Sequence, residues 1–185
     1  MKLILASNSP RRKEILKEKG IEFEVIPSLF NEKEQKGLGK ERAKIFAMEK
    51  AREVFSRIDD KKDIVVLGAD TIVYYDNEIL EKPKDREDAT NMLKKLSNNT
   101  HLVITGYALI GENVCIQGEV KSEVKFNNLT EQEIVKYIDE MKPFDKAGSY
   151  GIQDGYNLVK GYTGSYDNIV GLPIEEILKV LNKIN

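Results

Sequence analysis

Two arginines stand where a helix is expected to begin, next to a short run of polar residues. In the segment SNSPRR, Pro10 opens a stretch with helical spacing, and Arg11 and Arg12 follow it directly. The first turn of a helix has unpaired backbone N–H groups and the positive end of the helix dipole, so it favours carboxylates over guanidinium groups. Helix N-termini bind phosphate, and arginine donates paired hydrogen bonds to phosphate oxygens. The hydroxyl of Ser7 and these arginines therefore predict an anion site, whereas a capped helix with solvated arginines is the simpler alternative.

A carboxylate follows the most continuous apolar run of the chain. The segment DIVVLGAD, residues 63–70, predicts a central buried strand that ends at Asp70. Open α/β sheets expose their crevice at the carboxyl ends of such strands. Asp70 is therefore a candidate to bind a divalent metal ion or to take a proton from water. An ordinary turn residue at the end of a strand is an equally good interpretation of its position.

Three more polar residues are weak candidates when each is taken alone. Glu32 lies in the loop FNEKE, Lys82 in the turn EKPKD, and Gln153 at the end of KAGSYGIQ, where its amide is suited to contact the edge of a base. The motifs GxxxxGK[ST] and GxGxxG of common nucleotide sites are absent. Cationic groups, hydroxyls and carboxylates together nevertheless indicate phosphoanhydride chemistry, in which catalysis depends on positioning and on metal-assisted neutralisation of charge.

Composition restricts the class of protein. The chain has 185 residues, so we expect one domain, 1–185, with two lobes at most. With 29 basic and 31 acidic residues its net charge is -2, which argues against a protein that coats nucleic acid or a membrane surface. The single cysteine, Cys115, excludes an internal disulfide, and we interpret it as a small core residue. The single histidine, His101, argues against a histidine-based nucleophilic site. Without a targeting segment or a membrane span, we expect a cytoplasmic protein.

The elements that must position the candidate residues alternate between strands and helices. Strands are predicted at 2–6, 21–26 and 63–70, in a hairpin that turns at Asp76-Asn77, and across 101–126 with a break at 111–113. Helices are predicted from Pro10 to Gly20 with Ser9 as cap, over 41–58, after Asp85, after Thr130 and over 173–182. The stretch 146–173 is rich in glycine and shows little periodicity. This mixture predicts an α/β fold with a mixed, twisted sheet and flanking helices.

Five sequence blocks in a fixed order carry a resemblance to a known family. The blocks SNSPRR, GADTIV, EKPKD, DKAGSYGIQ and GSYDNIVGLP resemble the Maf family of nucleoside triphosphate pyrophosphatases over nearly the whole chain. The resemblance implies an elongated, two-lobed α/β molecule with a central cleft, distantly similar to the inosine-triphosphate pyrophosphatases. It also implies hydrolysis between the α- and β-phosphates with a divalent cation, Mg²⁺ or Mn²⁺, as cofactor.

Roles for individual residues follow from the same resemblance. Asp70 matches the general base, and Glu32 and Asp70 match the metal-binding carboxylates, although this chain has Asn31 where an Asp-Glu pair is common. Three residues match the specificity positions of the branch that prefers dTTP and UTP, namely Arg12, Thr71 and Gln153. The substrate-binding set is matched by Ser7, Arg11, Arg12 and Lys82.

Two alternatives remain open at this stage. The first is the same hydrolysis of a nucleotide with another base, such as 7-methyl-GTP, although the branch of the family that acts on 7-methyl-GTP usually has SDQ where this chain has ADT. A non-catalytic nucleotide-binding regulator, for example of cell division, is the other, but a pure binder has no need of Asp70. We expect a free nucleotide as the ligand, no nucleic-acid polymer or membrane as a partner, and a homodimer only by analogy with the family.

Overall fold

The structure, a computed structural model, describes residues 1–32 and 39–184. Its strands are β1 (Lys2–Leu5), β2 (Glu24–Val25), β3 (Ile64–Tyr75), β4 (Glu78–Leu80), β5 (Thr100–Gly111), β6 (Val114–Phe126) and β7 (Val159–Thr163). Its helices are α1 (Pro10–Glu18), α2 (Arg42–Ser56), α3 (Arg86–Leu96), α4 (Glu131–Met141), α5 (Tyr166–Val170) and α6 (Ile174–Ile184). The strands form one sheet in the order β2-β1-β3-β5-β6-β7, with β4 paired to β3. The predicted α/β class with a mixed sheet is confirmed, since β1 runs parallel to β2 and β3 while the other pairs are antiparallel.

Local sequence signals gave several correct elements. Both Asp76 and Asn77 have positive φ, 50° and 61°, as the mirror-image turns of two-residue hairpins require. The side chain of Asp85 accepts a hydrogen bond from the backbone N–H of Asp88 at the start of α3. Thr130 and the third residue of α4 form the predicted capping box.

Other predictions were wrong or incomplete. Cys115 is exposed, because the alternation of β6 places it on the outward face near the hairpin end. Ser9 is the cap residue of α1, but its side chain makes no capping hydrogen bond. The second strand is only Glu24–Val25, and β3 continues past Asp70 to Tyr75. The glycine-rich stretch contains β7 and α5, which sequence periodicity did not indicate. Residues 33–38 of the predicted loop lie outside the described residues.

One edge of β3 has a gap between two neighbouring strands. β1 pairs with Ile64–Leu67, and β4 pairs with Val73–Tyr75 on the same edge. Among the described residues, no strand pairs with the segment 68–72 on this side. Asp70 and Thr71 lie in the gap, and because they are consecutive in a strand their side chains point to opposite faces of the sheet. The gap thus gives access to both faces of β3.

The core is arranged around this gap. On one face, α1 and α6 pack on the first half of β3, and α3, α4 and residues of the glycine-rich stretch pack around Val73 in the second half. Two hydrophobic clusters thus share this face of β3. The opposite face is covered by α2. No helix in the described ranges has the length and apolar character needed to cross a membrane.

Helix α2 lies unusually close to the sheet. A Cβ atom added to Gly68 would be 2.1 Å from the carbonyl oxygen of Ala47, and one added to Gly106 would be 2.3 Å from that of Ala43. Glycine in these two strands therefore allows the backbone of α2 to contact β3 and β5 directly. This close packing brings the side chains of α2 next to Asp70.

Candidate active site

A cavity of about 610 Å³ lies at the gap in the edge of β3. This volume is typical of small-molecule sites. The lining comes from the start of α1, β3, α2, the segment after β4, the glycine-rich stretch and the end of α5. All eight sequence-predicted site residues are part of it: Ser7, Arg11, Arg12, Glu32, Asp70, Thr71, Lys82 and Gln153.

The acidic side of the cavity consists of Glu32 and Asp70, which are joined by a lysine. Lys50 Nζ lies 2.6 Å from Glu32 Oε1 and 2.7 Å from Asp70 Oδ1. Asp70 is only 8% exposed, so this contact is shielded from solvent. Sequence reasoning missed Lys50. A signal was available, because Lys50 occupies a helical position within the small, apolar stripe of α2 that contains Ala43, Ala47 and Ala51.

Glu32 is held in its ionised form by its neighbours. Burial alone would raise the pKa of Glu32, but the charge and the hydrogen bond of Lys50 and the charges of Lys82 and Arg42 outweigh this effect and lower it. Arg42 contacts Glu32 at 3.9 Å and also binds Glu81, with a distance of 3.0 Å from Nη2 to Oε2. The acidic side is therefore a charged surface surrounded by cations.

The residues of the acidic side fit a divalent cation that arrives with a phosphate ligand. Oδ2 of Asp70 is buried and has no hydrogen-bond partner in the part of the chain that the structure describes. Within the same residues, no group of three or more His, Cys, Asp or Glu side chains forms a complete protein cage for a metal ion. Mg²⁺ is commonly bound by one or two carboxylates together with substrate phosphates. Glu32 and Asp70 supply that number of oxygen ligands.

Arg12 is fixed on the opposite side of the cavity by three hydrogen bonds. It donates from Nε to the carbonyl oxygen of Gly171 at 2.9 Å, from Nη1 to Ser7 Oγ at 3.0 Å, and from Nη2 to Thr71 Oγ1 at 3.2 Å. Burial lowers the pKa of Arg12, and the charge of Asp70 acts in the opposite direction. Since arginine keeps its proton in proteins, the guanidinium is a preorganised positive charge.

Ser7 has a proton available for a ligand. Its Oγ accepts hydrogen bonds from Arg12 Nη1 and from the backbone N–H of Ser9 at 3.3 Å. Within residues 1–32 and 39–184, it donates to no protein acceptor. The first turn of α1 contains no acidic residue and no side-chain cap. This end of the cavity is thus rich in donors and suited to an anion.

Arg11 is paired across the cavity rather than free. Its Nη1 lies 2.6 Å from Asp145 Oδ2. Burial would raise the pKa of Asp145, but the hydrogen bonds from Arg11 and Lys146 lower it. Sequence reasoning missed Asp145 as a partner of Arg11, because the two are far apart in the chain. The pair links α1 to the residue that directly precedes the glycine-rich stretch.

Gln153 is carried by a short 3₁₀ turn, Ile152–Asp154. The hydroxyl of Tyr137 accepts from the N–H of Gly151 at 3.0 Å and donates to Asp154 Oδ2 at 2.6 Å. These two bonds hold both ends of the turn on α4. Gln153 is thereby presented at the cavity, on the part of the lining contributed by the glycine-rich stretch.

Comparison with known proteins identifies the family of this chain. The family model described as Maf-like protein matches residues 2–184. A dTTP/UTP pyrophosphatase of Aquifex aeolicus is 43% identical over 187 residues, covering 100% of this chain and 96% of that protein. Proteins of the same name from Thermosipho africanus and Thermococcus kodakarensis are 47% and 48% identical, covering 98% and 96% of this chain and 92% and 94% of their own. The chain therefore belongs to the Maf family.

Proposed function

We propose that this protein hydrolyses nucleoside triphosphates to the nucleoside monophosphate and pyrophosphate, with dTTP and UTP as preferred substrates. The observation that carries the proposal is one cavity in which the fixed guanidinium of Arg12 and the carboxylate of Asp70 are both part of the lining. The three relatives named above are dTTP/UTP pyrophosphatases. We take 1–185 as a single catalytic domain that acts on free nucleotides in the cytoplasm.

The triphosphate is bound by the donor-rich end of the cavity. Ser7 donates its free hydroxyl proton to a phosphate oxygen, and Arg12 supplies a fixed positive charge. Arg11 exchanges its contact with Asp145 for a phosphate oxygen when the nucleotide enters. The two arginines at the start of α1, which are unfavourable beside a helix N-terminus, thereby become favourable in the complex.

The metal ion is assigned to the acidic side. Glu32 and Asp70 would hold a divalent cation, Mg²⁺ or Mn²⁺, which supplies Lewis-acid polarisation and charge neutralisation at the phosphates. Lys50 holds the two carboxylates in place before the ion and the nucleotide arrive, and its charge helps to keep Glu32 ionised.

Asp70 is the general base. Its Oδ2 has no partner in the described chain and has two lone pairs, so one can accept a proton from the attacking water while the other would face the cation and Oδ1 stays bound to Lys50. The water oxygen forms a bond to the α-phosphorus, the bond from that phosphorus to the bridging oxygen breaks, and pyrophosphate leaves. Lys82, which is exposed and lines the cavity, neutralises the charge that develops on the leaving group.

The nucleobase is recognised at the other end of the cavity. Thr71 and Gln153 provide hydroxyl and amide groups that hydrogen-bond to the edge of a pyrimidine. A site built around such polar groups rejects ligands that leave them unpaired. Arg12 takes part in this selection because it is bonded to Thr71.

A nucleotide panel tests the proposal. The purified protein is incubated with dTTP, UTP, CTP, ATP, GTP and 7-methyl-GTP, each with Mg²⁺ and with Mn²⁺, and pyrophosphate release is measured. We expect the highest kcat/KM for dTTP and UTP. Equal turnover of purine triphosphates, or preference for 7-methyl-GTP, would contradict the pyrimidine assignment. Binding of UTP without cleavage with either ion would instead favour a nucleotide-binding regulator.

A further inference from the structure

A buried threonine lies behind Thr71 and is not part of the cavity. Thr105 of β5 is directly opposite Thr71 of β3 in the antiparallel ladder, so both side chains are on the same face of the sheet. Their Oγ1 atoms are 3.0 Å apart. Thr105 is fully buried, and its Oγ1 also lies 3.0 Å from the carbonyl oxygen of Asn168 in α5.

The backbone carbonyl of Asn168 decides the direction of this chain of hydrogen bonds. A carbonyl oxygen accepts and never donates, so Thr105 must use its only hydroxyl proton for that contact. The proton shared by the two threonines then belongs to Thr71, which donates to Thr105. Donation from Thr71 to Thr105 pairs both hydroxyls and the carbonyl oxygen of Asn168. Donation from Thr105 to Thr71 would leave that buried carbonyl oxygen without a donor.

The acceptor is itself held in place. The side chain of Asn168 donates from Nδ2 to the carbonyl oxygen of Val103 at 3.2 Å and to Ser122 Oγ at 2.9 Å. Asn168 is fully buried. Its backbone carbonyl is thus a fixed reference for the hydroxyl of Thr105.

Arg12 restricts Thr71 from the other side. Its Nη2 can only donate, and it uses one lone pair of Thr71 Oγ1. The carbonyl oxygen of Gly171, at 3.3 Å, is a second possible acceptor for the Thr71 proton. It also belongs to the protein, so neither acceptor directs this proton towards a ligand. With its proton directed inwards, Thr71 offers a lone pair, and no donor, to a ligand in the cavity.

We propose that Thr105 is a positioning residue that selects uracil and thymine over cytosine by taking the hydroxyl proton of Thr71. Uracil and thymine carry a donor at N3, which an acceptor-only hydroxyl can bind. Cytosine carries an unprotonated acceptor at N3, so it faces a lone pair and leaves both groups unpaired. This inference rests on the proposed function, and it identifies Thr71 Oγ1 as the atom that recognises the nucleobase.

The test combines four variants, Thr105→Val, Thr105→Ser, Thr71→Val and the double variant Thr71→Val/Thr105→Val. For each, kcat/KM is measured with UTP and CTP, and folding is checked by thermal unfolding. Thr105→Val removes the acceptor for the Thr71 proton. We therefore expect the ratio of kcat/KM for UTP to kcat/KM for CTP to fall about tenfold, the effect of roughly one hydrogen bond. Thr105→Ser keeps the hydroxyl and should keep the ratio.

The double variant separates positioning from general damage. If Thr105 acts through Thr71, its replacement by valine changes the ratio in the wild-type background and has no further effect in the Thr71→Val background. An unchanged ratio in Thr105→Val, or an equal loss in both backgrounds, would overturn the inference while the proposed function stands. A wild-type protein that does not prefer UTP would overturn both. If Thr105→Val does not fold, Thr105→Ala removes the same hydroxyl without placing a methyl group against the carbonyl oxygen of Asn168, and the same outcomes decide.

Discussion

Lys50 Nζ lies 2.7 Å from Oδ1 of Asp70, the carboxylate that we propose as the general base. The same ammonium group is 2.6 Å from Glu32, so one lysine holds two carboxylates that would otherwise repel each other. The contact depends on the close approach of α2 to the sheet, because Lys50 belongs to α2 and Asp70 to β3. Lys50 thus couples the packing of a helix to the position of Asp70 and to the pKa of Glu32.

Replacement of Lys50 by methionine should make the enzyme more sensitive to acid. The pKa of Glu32 is lowered mainly by Lys50 acting against burial, so it rises when the cation is removed. Activity that requires ionised Glu32 is lost as the pH falls through that pKa, and the acidic limb of the kcat/KM profile should therefore move to higher pH. We also expect kcat to fall, because Asp70 loses its partner.

Lys44 provides the matched control for this experiment. It lies on the same helix but pairs with Glu41, outside the cavity. Lys44→Met should leave the pH profile unchanged. A Lys50→Met profile with the wild-type acidic limb would show that Lys50 does not set the protonation of Glu32.

Replacement of Asp70 by asparagine should lower turnover by at least two orders of magnitude while the protein stays folded. The amide is nearly isosteric but cannot take a proton from water, and loss of a general base typically lowers kcat by about 10²- to 10⁴-fold. Binding of UTP, measured by calorimetry, should largely remain, because the groups assigned to the phosphates are unchanged. Asp139→Asn is the control, since Asp139 pairs with Arg86 at the surface. Turnover near the wild-type rate in Asp70→Asn would mean that another group is the base.

The features that could be predicted from the sequence are those set by residues close together in the chain. The cap at Asp85, the capping box at Thr130 and the turn at Asp76-Asn77 each use residues within a few positions of one another, and the structure contains all three. The structure places the eight predicted site residues in the lining of one cavity. Their prediction as a group came from the family resemblance, which carries long-range information that periodicity does not contain.

The missing parts depend on contacts between distant segments. The position of Lys50 in the apolar stripe of α2 indicates that it faces the sheet, but its partner Asp70 is evident only once β3 is placed beneath the helix. The partner of Arg11 is 134 positions away. The burial of Thr105 and its bond to Thr71 follow from the register of β3 and β5, which no local pattern specifies. Helix α5 has only five residues, too few to show a helical period.

Because of His101, the free energy of unfolding should decrease as the solution becomes acidic. It is 2% exposed, its Nε2 lies 2.7 Å from the hydroxyl of Tyr150, and burial lowers its pKa from 6.5 to about 4. The folded protein thus binds a proton less readily than the unfolded chain. The stability from neutral His101 is complete above pH 6.5 and is lost as the pH falls towards 4, by about 3 kcal/mol in total.

Urea unfolding at several values between pH 4.5 and pH 7 measures this effect. His101→Gln keeps a donor and an acceptor but has no titration in this range, so its free energy of unfolding should fall less over the same interval. The difference between the two proteins isolates the histidine from the carboxylates that titrate in both. Parallel curves for the variant and the wild type would contradict the prediction.

Replacement of Gly106 by alanine should damage the site from a distance. The added Cβ would lie 2.3 Å from the carbonyl oxygen of Ala43, so α2 must move away from β5. Overpacking of this kind costs about 1–3 kcal/mol of unfolding free energy. Because Lys50 belongs to α2, the contact with Asp70 lengthens as well, and kcat should fall together with stability. Gly161→Ala is the matched control, since no atom lies within 4 Å of a Cβ at that position. A stable Gly106→Ala protein with wild-type kcat would show that the approach of α2 to the sheet does not set the geometry of Lys50 and Asp70.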